Sequence, residues 1–289
     1  MPTTKEYNVR LSRLRSTRKI TNTMKLVAVN KLRKAQAAHH VADAFGQELR
    51  KLGKLVARLP SEYAGPLAKV REKVHNAMLL VVTSDRGLCG GFNNNLHRHV
   101  SRWLGEKEQH SVPVLVSFYG RRGHLFFKNR VKVASFYAGL STRPVYAAVM
   151  HISRDLQRRF TGGQCDVVWV AYNQLLATGT SRPVVEKLLP LEIEPREETD
   201  PWIVGPIVEP SRAAVAERLT VQLAHLRLHD ILLQNAAGEQ STRMVAMDNA
   251  TRNVDNLVDT YTLLRNRARQ AAVTRELIEI LGGAEALKG

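Results

Sequence analysis

The chain has 289 residues, 44% of them hydrophobic and 24% charged, and its 43 Lys and Arg against 26 Asp and Glu leave a net charge of +17. That length accommodates one or two domains with a sizeable core. The start, Met1 to Asn8, is polar, and no unbroken apolar stretch exceeds the length of Ala77–Val82, so neither a secretory signal nor a membrane span is expected. Two cysteines, Cys89 and Cys165, form neither a metal-site spacing nor a disulfide framework, which fits a reducing cytoplasm. The positive charge predicts attraction to something acidic: nucleic acid, an anionic membrane or an acidic protein surface. About two thirds of the excess lies on residues 1–58, where fourteen Lys and Arg face only Glu6, Asp43 and Glu48.

Proline divides the chain. Apart from Pro2, every proline lies between Pro60 and Pro210, and helix interiors tolerate proline poorly. The first proline-free flank, 3–59, carries Ala38, Ala42, Phe45, Leu49, Leu52, Val56 and Leu59 at alternating spacings of four and three. That is the seam of a coiled coil. Ile20, Met24 and Val27 repeat the spacing before Lys31 and Lys34 interrupt it. Gly46 and Gly53 weaken the intrinsic helix propensity, so this helix needs a packing partner.

The middle, 60–210, changes character. Ala77–Ser84, Val112–Phe118, Val131–Phe136 and Asp166–Ala171 are short β-rich apolar runs, separated by helical stretches near 92–105, 120–128 and 143–160. This alternation predicts a Rossmann-like parallel α/β domain, with a Pro- and Glu-rich connection from Arg182 to Pro210. The last flank opens at Pro210-Ser211, a stop followed by a cap. From Leu219 to Leu233 it is apolar on several faces, and beyond Gly238 it narrows to Met244, Met247, Thr251, Val254, Val258 and Tyr261. At 1.5 Å per residue the two flanks would run roughly 80 and 105 Å, too long for a small globule, and so are expected to pair antiparallel. The competing reading is two helical hairpins broken at Gly53 and Gly238.

Chemistry is hard to find. Ser84-Asp85-Arg86-Gly87-Leu88-Cys89-Gly90-Gly91-Phe92-Asn93 joins a strand to a helix, where glycines let a backbone cradle phosphate. It is neither G-x-G-x-x-G nor a P-loop, and the favoured reading is a tight turn with Asn93–Asn95 capping the helix. Cys89 lacks an orienting base and reads as a small buried thiol. His225 and His229 share a helix face at i, i+4, but two ligands do not close a zinc site. No catalytic residue, metal site or cofactor is expected. Two rival readings stay open: a nucleic-acid binder with a basic helical arm, and an α/β enzyme with a nucleotide pocket near Gly87–Gly91.

Three stretches carry a resemblance along the whole chain: Thr17-Arg-Lys-Ile-Thr-Asn-Thr-Met24 onward to Gln36, the loop Ser84–Asn93, and Arg243-Met-Val-Ala-Met-Asp-Asn-Ala-Thr251 continuing through 268–280. In order and spacing they resemble the gamma subunit of F-type ATP synthases. The resemblance implies a fold of two long terminal helices, 1–59 and 211–289, forming an antiparallel coiled-coil shaft around a central α/β domain, 60–210. It implies a central-stalk rotor without a catalytic site or cofactor of its own, at the cytoplasmic face of the plasma membrane. Its partners would be alpha and beta subunits, epsilon and the membrane ring of c subunits, with no nucleic acid. By position, Met24, Arg243, Arg269, Gln270, Thr274 and Glu276 correspond to residues that contact or couple to the beta subunits. Glu209 corresponds to the foot's approach to the ring, although Ile207-Val208 replace the usual tyrosines. Asp85, Arg86, Gly87, Gly90 and Gly91 correspond to the central loop, in a structural role. Further departures are Asn22-Thr23, Asn30 and Gly238-Glu239-Gln240-Ser241-Thr242. The basic stretches Arg13–Arg18, Lys31–Lys34 and Arg265–Arg269 suit partly hydrated ion pairs remade on each turn, each worth only about 0–1 kcal/mol. The apolar end Leu277, Ile278, Ile280 and Leu281 would sit in a hydrophobic collar.

Overall fold

A computed structural model describes residues 3–56, 65–137, 146–177, 179–192 and 209–286. Leu59, Pro60 and Ile207-Val208 lie outside the described residues. Two long helices, α1 (Thr4–Val56) and α5 (Arg212–Ala286), flank a five-stranded sheet. The sheet is built from β1 (Ala77–Val82), β2 (Val114–Tyr119), β3 (Val133–Tyr137), β4 (Val167–Ala177) and β5 (Thr180–Leu189), in the order β3-β2-β1-β4-β5. Strands β1 to β4 are parallel. Between them run α2 (Phe92–Gln109), α3 (Arg121–Phe127) and α4 (Tyr146–Thr161).

The central strand explains the layering. All six residues of β1 are buried, because successive side chains point to opposite faces and both faces are covered. Met78, Leu80 and Val82 pack with Ile152, Leu156 and Phe160 of α4 and with Leu228, Ile231 and Leu232 of α5. Leu79 and Val81 pack with Leu96 and Val100 of α2 and with Phe118 and Phe127. Each such aliphatic side chain contributes about 1.5–3 kcal/mol by leaving water. The terminal helix α5 is therefore an integral part of the domain's core.

The segment from Arg182 onward is not all connection. β4 runs six residues past the expected end and turns back into β5, antiparallel, with Val170 opposite Glu186 and Tyr172 opposite Val184. Pro183 and the charged residues of this stretch hid the strand. At a sheet edge a strand tolerates a proline, because one row of its N–H groups has no neighbour.

Neither long helix breaks at its glycine: α1 continues past Gly53 and α5 past Gly238. Ser211 caps α5, its Oγ accepting the Ala214 N–H at 3.2 Å. Two compact units divide the chain, one of residues up to Ala28 and from Met244, the other Val29–Arg243. In the first, Lys25 pairs with Asp248 and Arg18 with Asp255, both at 2.6 Å. Thr251 bonds Thr21 at 2.8 Å, and the rings of Tyr7 and Tyr261 lie 6.2 Å apart. Partners on α5 advance as those on α1 retreat, so the helices run antiparallel. In the second unit His39 meets Asp230 at 2.9 Å.

The seam of α1 lies one residue away from the expected one. In the first unit it runs Tyr7, Leu11, Leu14, Arg18, Thr21, Lys25 and Ala28, each turned toward or bonded to α5 or half-buried. In the second, Leu32, Ala35, His39, Ala42, Gly46 and Leu49 continue the same four-three spacing. Of the expected seam, Ala42 and Leu49 belong to it, whereas Ala38 is exposed and Phe45 and Leu52 are 58% and 51% exposed. Ile20 and Val27 are likewise exposed, and Met24 is half-buried. Small residues at Ala28, Ala35, Ala42 and Gly46 let helix axes come close, so they take the contact and leave the bulkier stripe outside. On α5 the expected stripe holds: Met247 and Val254 are buried and Thr251, Val258 and Tyr261 half-buried.

Candidate functional site

The polar centre of the domain lies where the central loop meets α5. After β1 the chain turns through Ser84–Gly91, with Leu88 and Gly90 in the left-handed region at φ of 62° and 56°. A Cβ on Gly87 would stand 2.7 Å from the Arg122 Nη2, the far end of a flexible side chain that would have to move aside. Asp85 Oδ1 accepts the Arg121 N–H at 3.0 Å, tying the loop to α3. Asn93 does not cap α2, contrary to expectation. Gly91 occupies the N-cap with no side-chain bond, and Asn93 reaches back from the first turn, accepting the Ser84 N–H at 3.1 Å and donating to Ser84 Oγ at 2.8 Å. Asn93 is thus consumed in rigidifying the loop. Cys89 is buried within this network, 3.2 Å from Asn93 Nδ2, and burial pushes its thiol pKa up, as expected of an inert thiol.

From the other side Arg243 closes the loop. It is 9% exposed, and its Nη2 donates to the Arg86 and Gly87 carbonyls at 3.4 and 3.2 Å. Its Nη1 meets Glu239 Oε1 at 2.8 Å, one turn back on the helix. Glu239 is 1% exposed; burial pushes its pKa up, opposed by the Arg243 guanidinium, and its Oε2 has no protein partner. Two further bonds join α5 to the β4–β5 hairpin, and a third joins β4 to α2 beside them. Asn173 N–H donates to Asn235 Oδ1 at 3.3 Å, Asn173 Nδ2 to the Phe92 carbonyl at 3.1 Å, and Gly179 N–H to Ser241 Oγ at 2.6 Å. Sequence reasoning singled out the loop and Arg243 separately. It noted Glu239 and Ser241 only as departures; an acid four residues before an arginine on one helix was the available signal.

The other candidates are dispersed. Met24 lies half-buried on α1 in the first unit. Arg269, Gln270, Thr274 and Glu276 lie on an exposed stretch of α5 that also carries Val273, Leu277, Ile278, Ile280 and Leu281. Glu209 is exposed just ahead of α5. His225 is buried and 3.5 Å from Gln157, and His229 stacks edge-on to Tyr146 at 5.5 Å, so neither is set up as a ligand. Among the described residues no cluster of three or more His, Cys, Asp or Glu is poised for a metal, and no helix is long and apolar enough to cross a membrane.

These features define a class: an α/β domain carried between two terminal helices that pair with each other, the second of which packs into its core. A family profile described as ATP synthase matches residues 3–287. The chain is 38% identical over 289 residues to the ATP synthase gamma chain of Pelotomaculum thermopropionicum, covering all of both chains. It is 37% identical over 292 residues, again covering all of both chains, to the gamma chain of an Anaeromyxobacter species. Among solved structures, a chain of the Euglena gracilis mitochondrial ATP synthase OSCP/F1/c-ring matches 98% of this chain and 94% of its own length, with a TM-score of 0.66 at 16% identity. A chain of the Tetrahymena thermophila mitochondrial central stalk and c-ring matches 80% of this chain and 99% of its own, with a TM-score of 0.58 at 21% identity. At those identities the structures speak for the fold. The sequence relatives decide the family: the chain belongs to the ATP synthase gamma chains.

Proposed function

We propose that the chain is the central-stalk rotor subunit of an F-type ATP synthase, coupling ion flow through a membrane ring to ATP synthesis and hydrolysis on its partners. The observation that carries this reading is the family match over residues 3–287, which spans both long helices and the domain between them. The paired helices then act as an axle and the α/β domain as its foot, with functional segments 1–59, 60–210 and 211–289. Partners are alpha and beta subunits around the axle, and epsilon and the c ring at the foot. The complex would hold the chain peripherally at the cytoplasmic face of the plasma membrane.

The contacts follow from exposure. The stretch 269–283 of α5 is exposed throughout in the chain alone, so Arg269, Gln270, Thr274 and Glu276 are free to meet beta subunits. The apolar Leu277, Ile278, Ile280 and Leu281 suit a greasy bearing. Met24 belongs to the same set on α1. Arg243 is buried, so it serves coupling through the central loop it holds rather than by reaching a neighbour. Glu209 is the candidate foot contact. The chain carries no catalytic group in this reading; it acts by meeting three partner sites differently, since equal contact shifts no equilibrium. The nucleic-acid reading draws no support from the family match.

Reconstitution tests the proposal. The chain mixed with alpha and beta subunits should form a complex whose ATP hydrolysis depends on it. Identical hydrolysis with and without the chain would remove the rotor reading.

A further inference from the structure

We infer that residues 235–243 of α5 form a keyed socket with the α/β domain, the joint that bears torque between helix and domain. The inference rests on the central-stalk reading above and identifies the residues that act within it. In open α/β sheets the crevice beyond the C-terminal ends of the strands, where strand order reverses, receives a ligand. Here the order reverses between β1 and β4. The occupant is the chain's own helix: a Cβ on Gly238 would lie 3.3 Å from the Phe92 ring, which opens α2, and 3.6 Å from the Asn173 carbonyl of β4. Every residue from Asn235 to Ser241 is buried, so the helix is enclosed rather than laid against a surface.

Three polar anchors reach α5 inside this socket. Asn235 is held by β4, Ser241 by the turn between β4 and β5, and Arg243 by the central loop. At about 100° per residue the three point near 0°, 240° and 80° around the helix axis, so the helix is gripped from separate sides. Glu239 falls between Asn235 and Arg243 and is a positioning residue for the arginine.

Torque requires directional contacts. The apolar packing of Leu228, Ile231 and Leu232 holds α5 to the sheet, and hydrogen bonds add a directional constraint that the hydrophobic effect itself lacks. Hydrogen bonds weaken steeply with angle, and a twist of about 20° moves atoms at the edge of a helix by about 2 Å, enough to break them. The anchors therefore add directional resistance to rotation of the helix about its own axis, on top of the interlocked packing.

The test uses the complete membrane complex carrying Asn235→Ala/Ser241→Ala, with hydrolysis and ATP-driven ion pumping measured on the same vesicles. Hydrolysis should stay within about twofold of native, while ions pumped per ATP fall about threefold or more, because under load the helix slips in its socket and the foot no longer completes a turn for each turn of the axle. Ser241→Thr, which keeps the hydroxyl, should pump as the native chain does. A single-molecule measurement adds a direct readout: with the catalytic head immobilised and a bead on the α/β domain, the double variant should show a wider angular fluctuation. Unchanged pumping per ATP together with unchanged fluctuation overturns the socket, as does a parallel loss of hydrolysis and pumping. The central-stalk reading fails separately, if the native chain itself supports no hydrolysis in the complex.

Discussion

Removing the Arg243 side chain isolates the energetics of the polar centre. Arg243→Ala leaves Glu239, 1% exposed, without its 2.8 Å partner and frees the Arg86 and Gly87 carbonyls. Breaking a buried pair by deleting one member costs about 3–5 kcal/mol, because the remaining charge stays buried and uncompensated. For a chain of this size that is a fall in melting temperature of roughly 5–8 °C. Glu239→Gln combined with Arg243→Met removes both charges and should recover most of the loss, whereas a simple sum of single costs would not. The loss must also depend on pH. Burial already raises the Glu239 pKa, and without the arginine opposing it the pKa rises further. The folded variant then binds a proton that the unfolded chain has released, so its stability falls as pH rises from the ordinary carboxylate range through the raised folded value. Thermal melts at about pH 5 and about pH 8 should therefore give a smaller native-to-variant gap at the acid end. A gap independent of pH, or a double variant no better than Arg243→Ala, would refute the buried-charge argument.

Two further predictions follow from burial. Leu32→Ala, at a seam position 6% exposed, should cost about 2–5 kcal/mol by urea denaturation, whereas Phe45→Ala should cost under about 1 kcal/mol in the isolated chain; a reversed ranking would restore the seam expected from sequence. His97 is 5% exposed and its pKa is lowered to about 4 by burial and by the nearby Arg122 charge. Below pH of about 6.5 the unfolded chain takes a proton that the fold refuses, so stability falls on acidification and the loss stops near the folded pKa, a contribution of about 3 kcal/mol. His97→Gln should flatten that part of a stability profile measured between about pH 7 and pH 4, and an unchanged slope would show that His97 binds its proton equally in the folded and the unfolded chain.

Much of the fold was legible from local pattern. Proline confined between Pro60 and Pro210 marked the two helical flanks, and β-rich runs separated by helical stretches marked the doubly wound core. Strand β5 was not legible, because Pro183, Glu186 and Lys187 belong to an edge whose tolerance of such residues depends on having no further neighbour. The loop Ser84–Asn93 was recognisable as a strand-to-helix turn, yet Asn93 was read as a cap when its bonds run back to Ser84.

The sequence by itself determined the class of element at each point and, through motif order, the family, since both depend on periodicities and spacings carried within one segment. Tertiary structure alone decided which stripe of α1 is covered. Two parallel apolar stripes lie one residue apart, and only the partner helix, favouring small residues where the axes approach, selects Ala28, Leu32, Ala35 and Ala42 over Ile20, Val27, Phe45 and Leu52. It also decided that the crevice of the α/β domain is filled by α5. Arg243 and the loop it closes are separated by more than 150 residues of sequence, and no local pattern reports a contact made across that distance.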